Sequence, residues 1–195
     1  MVRGRPRVFN IESALDSALH LFWRKGYEGT SVADLTEAMG INTPSLYAAF
    51  GNKEELFRKI LDRYAEGPAA YMREAFQQPS AREVVEYLLY GAAEATTNPE
   101  TPLGCLTVQG ALSSGEAGDA IRQELNARRA GGEAALRDRF EQAKQSGELA
   151  ADVDTEQLAC FYATIFQGMA VQAGAGTSRE KLQAIVANSL RLWPS

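Results

Sequence analysis

A chain of 195 residues, 45% hydrophobic and 9% aromatic, has room for one medium domain or for a small module joined to a larger one. Twenty basic against twenty-five acidic residues leave a net charge of −5, so any hold on a polyanion must come from a local cluster and not from the surface as a whole. No apolar run is long enough to span a bilayer, the basic start Met1–Arg7 lacks the apolar stretch of a secretory signal, and the two cysteines, Cys105 and Cys160, have no metal-like spacing. The expectation is a soluble, cytoplasmic protein with reduced thiols, no metal and no cofactor.

Helical periodicity runs through nearly the whole chain, and an all-α fold of about nine helices is expected. Ile11, Ala14, Leu15, Ala18 and Phe22 recur at helical spacing between Asn10, a natural N-cap, and Gly26, a natural stop, which predicts a first helix over 11–25. Ser31 with Asp34 forms a capping pattern for a second helix, whose apolar face is Val32, Leu35 and Met39 and which Gly40 ends. Thr43 is the expected cap of a short third helix with Pro44 at its first position, where a missing amide proton costs nothing. Asn52 and Glu55 pair again to open a fourth helix through Leu56, Ile60 and Tyr64, broken or kinked at Gly67-Pro68 and continuing over 69–77. Further helices are expected near 81–96, 103–113, 117–146, 154–173 and 178–193, the long one carrying Gly131-Gly132 at ~1 kcal/mol each against alanine.

The stretch 31–50 is the layout of a helix-turn-helix DNA reader, two short helices joined by a glycine-containing turn. A helix entering the major groove must bury one side and leave the other small and polar. The third helix fits: Leu46, Ala49 and Phe50 are expected inward, with Thr43, Pro44, Ser45, Tyr47 and Ala48 outward. Tyr47 can donate to a phosphate, Thr30 and Ser31 offer hydroxyls and amides to another, and Lys53 puts a cation at a helix start, where the dipole disfavours it unless an anion is near. Arg3, Arg5 and Arg7 suit a narrow A·T-rich minor groove, or form a solubilising tail. With Arg24-Lys25 they make a basic tip on an acidic body. Ser31 and Thr43 also have a purely capping role, and Tyr47 a purely packing one.

Gly26-Tyr27, Thr30-Ser31-Val32, Ala38-Met39-Gly40, Ser45-Leu46-Tyr47, Phe50 and Lys53-Glu54-Glu55-Leu56-Phe57 together resemble the DNA-binding domain of TetR/AcrR-type transcriptional regulators over 10–57. Ala48-Ala49 departs from the aromatic or histidine commoner there after the tyrosine. The resemblance implies a bacterial, non-enzymatic regulator, most often a repressor, that binds double-stranded operator DNA as a homodimer and is released by a small-molecule effector. It places the DNA contacts on Thr30, on 43–48 and on Lys53. It also implies a division into a reader, 1–66, and a helical ligand-binding and dimerisation domain, 67–195.

In the second part, Leu158, Phe161, Tyr162, Ile165 and Met169 form one stripe and Leu182, Ile185, Val186, Leu190 and Trp193 another. They can build either a dimer seam or an ordinary core, and Gly168 would allow a partner helix close. Tyr64, Tyr71, Tyr87, Tyr90, Phe140, Phe161, Tyr162 and Phe166 are candidate walls of an effector cavity, or plain core. Cys105, at an expected helix start, is a candidate electrophile or redox sensor, or a buried small thiol. An enzyme is the rival class, but His20 has no carboxylate pair, nucleophile elbow or phosphate loop beside it and is read as structural. A helical interaction protein without an effector is the other.

Overall fold

The computed structural model describes residues 10–112 and 118–194. Ten α-helices and no strand occur among them. In chain order they are α1 (Ile11–Lys25), α2 (Val32–Met39), α3 (Thr43–Phe50), α4 (Lys53–Glu66), α5 (Ala70–Ala75), α6 (Ala81–Thr96), α7 (Leu106–Leu112), α8 (Asp119–Gln145), α9 (Thr155–Gly174) and α10 (Arg179–Leu190).

The helix starts follow local chemistry. Asn10 accepts from the amides of Glu12 and Ser13, and the pairs Ser31/Asp34, Asn52/Glu55 and Ser80/Glu83 each form a reciprocal capping box. Each box satisfies orphan amides of a first turn. At α3 the expectation needs correcting: Asn42, not Thr43, is the cap, its Oδ1 accepting from the Ser45 amide at 2.9 Å, and Thr43 is already helical. Asn42 comes first in the extended conformation (φ −89°, ψ 163°), so its side chain reaches the free amide before Thr43 can.

Ten helices stand where nine were expected because α4 and α5 do not join. Gly67 (φ −108°, ψ −98°) leaves helical space, and Pro68 after it offers no amide proton to carry the ladder on. The long α8, by contrast, passes through Gly131 and Gly132 unbroken. Buried Ile121 and Leu125 anchor it before those glycines, and buried Leu136 and Phe140 after them.

The buried side chains form two clusters. One gathers Phe22, Leu35, Leu46, Phe57 and Ile60 from α1–α4 and runs on into Cys105, Leu106, Ile121 and Leu125. The other gathers Val85, Leu89, Phe140, Tyr162, Leu182 and Val186 from α6 and α8–α10. Its aromatic centre is edge-on, with Phe140 and Trp193 rings 5.6 Å apart. Gly91 lets Tyr71 of α5 lie against α6, since a Cβ there would come within 2.6 Å of the tyrosine ring. At the α2–α3 turn Gly40 sits left-handed (φ 66°), and the next amide, Ile41, returns to the Thr36 carbonyl at 3.0 Å.

Candidate nucleic-acid interface and effector cavity

Leu46 and Phe50 anchor α3 in the first core, and the rest of the helix is left outside. Thr43, Pro44 and Ala48 are exposed, Ser45 is half-buried, and Tyr47 keeps 49% of its surface. Ala49, expected inward, is exposed, because an eight-residue helix whose anchors are spaced by four turns its last non-anchor position outward. The tip of α3 is therefore broader and smaller in side chain than the sequence reading had it.

Around this tip the structure separates supports from surface. Ser31 is exposed, and its hydroxyl and amide both meet Asp34 Oδ2, at 2.7 and 2.8 Å. Thr30 is another matter. It is 0% exposed, its Oγ1 donates to the Gly26 carbonyl at 2.7 Å, and its amide points to Tyr27 O at 3.4 Å. A side chain that closes its own turn from inside cannot also reach a phosphate, so Thr30 is corrected to a positioning role. Arg3, Arg5 and Arg7 lie outside the described residues.

Lys53 opens α4, and its Nζ stands 4.2 Å over the centroid of the Tyr27 ring. Tyr27 in turn packs on Phe57, ring to ring at 5.1 Å. The π-face compensates part of the dipole penalty assigned to Lys53, and burial pushes its ammonium down from the ordinary lysine value. Tyr27 is thus a supporting residue: Gly26-Tyr27 was among the motifs that carried the resemblance, but its place beneath Lys53 was not read from the sequence. Lys25 is less free than a basic tip needs, since its Nζ is 2.9 Å from Asp34 Oδ1. That hydrogen bond first, and those from Ser31 next, hold the Asp34 carboxyl well below the usual carboxylate range.

Residues 14–60 match the model for bacterial regulatory proteins of the tetR family, and residues 81–188 match the tetracyclin repressor-like C-terminal domain. The chain is 42% identical to the HTH-type transcriptional repressor ComR of Escherichia coli (strain K12), over 98% of this chain and 92% of the relative. It belongs to the TetR family. The family's members are DNA-binding transcriptional regulators and not enzymes, and their fold is the all-helical one seen here. The HTH-type transcriptional repressor BdcR of the same strain is 39% identical over 56% of each chain. A cysteine variant of the TetR family regulator CifR, solved with 26-bp double-strand operator DNA, superposes with a TM-score of 0.91 at 46% identity, over 97% of this chain and all of that one.

A TetR regulator with this reader has a second feature beneath it. A cavity of about 310 Å³ lies between α4, α5, α6, α7, α8 and α9, walled by Met72, Leu88, Leu136 and Phe166 and reached by Arg73, Arg128, Arg129, Glu133 and Gln167. Of the expected cavity residues only Tyr64 and Phe166 line it. Phe140 and Tyr162 are corrected to core, wholly buried in the second cluster with Tyr162 Oη donating to the Ser189 carbonyl. Phe161 is at the surface, and Tyr71, Tyr87 and Tyr90 border a separate open groove on α6, where Tyr87 Oη meets Glu74 Oε2 at 2.8 Å. Cys105 is fully buried behind the cavity wall: Tyr64 Oη donates to its Sγ at 3.3 Å, and Thr107 Oγ1, also on the wall, lies 3.1 Å away. Burial pushes the Tyr64 phenol well up.

The expected dimer stripes divide. Met169, Leu182, Val186 and Leu190 are buried within the protomer and are corrected to core, and Leu158 and Ile165 are half-buried against it. Ile185 stays 39% exposed, and with Phe161, Val171 and Leu192 it makes the apolar outer side of α9, α10 and the residues just after. A 3.6-residue period cannot tell a helix's inward face from an equally apolar outward one. Sequence reading also missed Arg128 and Arg129, which look like any solvated pair on a charged helix.

Proposed function

We propose that this TetR-family regulator is a dimeric repressor that places one α3 in each half-site of a palindromic operator and leaves the DNA when a small effector fills the cavity beside α4. The observation carrying the reading is the small, exposed tip of α3 held by two buried anchors, in a chain superposable on a regulator solved with its operator. Thr43, Pro44, Ser45, Tyr47 and Ala48 face the groove, while Tyr47 and Lys53 meet phosphate and Ser31, both of whose donors Asp34 already takes, caps α2 beside them. The Arg3, Arg5 and Arg7 arm follows the adjacent minor groove. Residues 1–66 act as the reader and 67–195 as the regulatory unit.

Two-fold pairing through the outer side of α9 and α10 accounts for Phe161, Val171, Ile185 and Leu192, apolar groups that their own protomer leaves between 38% and 68% exposed. Gly168, exposed on the same helix, has nothing within 4 Å of a built Cβ, so the space above it is open to a second copy. The pair would present two α3 tips about one helical turn apart, ~34 Å or somewhat more.

Release follows from α4 itself. It begins at Lys53 on the DNA side and carries Leu61, Tyr64 and Ala65 along the cavity, so an occupant that favours one setting of α4 biases the spacing of the tips. The complete burial of Cys105, and its bond to Tyr64, favour this small-molecule reading over direct thiol sensing. Selection of genomic fragments by the purified protein, followed by fluorescence anisotropy on the recovered sequence, tests the proposal. A dimer by sedimentation, salt-sensitive binding to a palindrome, and an affinity about tenfold lower for Tyr47→Ala are expected. A monomer, or an unaffected Tyr47→Ala, overturns it.

A further inference from the structure

The cavity wall holds a charge that no carboxylate among the described residues answers. Arg129 Nη2 donates to Asn126 Oδ1 at 2.6 Å and Nη1 to Gln167 Oε1 at 3.4 Å, both neutral amides, while Nε is buried with no hydrogen-bond partner. Neither Arg129 of α8 nor Arg73 of α5, two of the three cavity arginines, has a carboxylate within ion-pair distance among the described residues. Arg58, Arg63, Arg122, Arg128, Arg137 and Arg139 each have one. Glu133, one turn along α8 from Arg129 and also on the wall, forms no ion pair with it.

A guanidinium whose Nε is kept from water and whose charge faces a largely hydrocarbon wall is costly unless an anion completes it. The planar fork of nitrogens fits a carboxylate better than any neutral acceptor, because a neutral group satisfies a hydrogen bond and leaves the charge. Met72, Phe76, Leu88, Leu136 and Phe166 supply apolar lining. A cavity of about 310 Å³ stands at the small end of ligand sites, ~300–1,000 Å³, which limits the occupant to a compact molecule.

We propose that the effector is a small amphipathic carboxylate, its head on the Nε side of Arg129 and its hydrocarbon body against Leu136 and Phe166. This deepens the effector reading given above and depends on it. The head also lies beside Arg128, the neighbouring residue on α8, whose Nη2 holds Asp62 of α4 at 2.8 Å. An added anion competes with Asp62 for that guanidinium and so acts on the helix that reaches the DNA.

Octanoate, octanol and octylamine share one body and differ in head, and their binding to the full chain without DNA tests the assignment by calorimetry and by melting temperature. Octanoate is expected to bind about tenfold or more tightly than octanol and to raise the melting temperature, with octylamine weakest. Arg129→Gln should bring octanoate down to the octanol level while leaving the unliganded melting curve in place. Should that variant fold poorly, Arg129→Lys keeps the charge without the fork and should lose most of the preference, and Leu136→Trp should block all three probes. Equal binding of acid and alcohol, preference for the amine, no binding by any probe, or an unchanged preference in Arg129→Gln overturns the proposal. Because no DNA is present, that result leaves the operator reading intact, and a protein that binds octanoate but no operator would sink the operator reading alone.

Discussion

Lys53 shows how a residue read for its charge depends on one read only as part of a motif. Its ammonium stands over Tyr27, and that ring is fixed by Phe57, so the cation at the start of α4 is aimed by an aromatic support. Tyr27→Leu is therefore expected to weaken operator binding by less than about tenfold, in keeping with ~0.5–1 kcal/mol for an exposed cation–π contact, while Tyr27→Phe keeps it. Anisotropy titrations of both variants on one operator duplex check this, and equal affinities for all three proteins would refute it. Asp34 gives a second test. Because Lys25 and Ser31 hydrogen-bond its charged form, its folded pKa lies below the unfolded value of ~3.9. Its contribution is then fully present above that pH and lost as pH falls through the folded value. Carboxyl NMR should find Asp34 titrating below the ordinary aspartates, and Lys25→Ala should move it back up toward them. At this scale capping was legible, since Ser31/Asp34 and Asn52/Glu55 announce themselves by spacing. Thr30 was not, because a hydroxyl looks the same in sequence whether it faces water or its own turn. Arg129 was not either, because what marks it is the absence of a partner in three dimensions.

At the level of elements, caps and stops were readable wherever one residue decides the backbone, as at Asn10, Gly26 and Gly40. Boundaries blurred where several residues compete: Asn42 preceded Thr43 to the cap, and Gly67-Pro68 divided a helix that periodicity alone would continue. Inward and outward faces were legible at Leu35 and Met39 of α2 and at Leu56 and Ile60 of α4, where one stripe is apolar and the rest largely polar, but less so on α1, where Ile11 is exposed and Trp23 buried, and on α3, where Ala49 turns outward. On α9 and α10 they were not, because Met169 and Val171, or Ile185 and Val186, are equally apolar and only tertiary packing separates them. The same reasoning makes α8 improvable. A Cβ at Gly131 meets nothing within 4 Å, so Gly131→Ala removes backbone entropy from the unfolded chain without a clash. A gain of ~1 kcal/mol is expected, raising the melting temperature by roughly 2–4 °C for a chain of this size. A melting temperature equal to or below the parent's in a scanning calorimeter would mean that the glycine pair does something a straight helix cannot.

Across the whole molecule, the reader and the cavity are tied by hydrogen bonds and charges as well as by core. Trp23 Nε1 of α1 donates to the Gly104 carbonyl at 3.2 Å, next to Cys105, and Arg63 of α4 holds Asp16 of α1 at 2.7 Å. Between α4 and α8 runs a chain of five charges, Glu54, Arg58, Glu124, Arg128 and Asp62, with Glu124 bonded at once to Arg58 Nε at 2.8 Å and Arg128 Nη2 at 3.0 Å. Each link is partly exposed and worth little alone, ~0.2–1 kcal/mol, but Glu124 is the node through which the DNA-side half of α4 is held to the cavity helix. Glu124→Gln cuts both of its ion pairs while keeping the side chain's shape. About 1 kcal/mol of stability is expected to go at low ionic strength, and less as salt screens what remains. The sharper consequence is local. Hydrogen exchange should quicken in α4 near Arg58 and Asp62 more than in α6, and operator affinity should fall a few-fold as the tip spacing loosens. If exchange rises uniformly, or α4 is unchanged while affinity falls, the charges stabilise the fold generally and the route from cavity to DNA runs through Tyr64 and Trp23 instead.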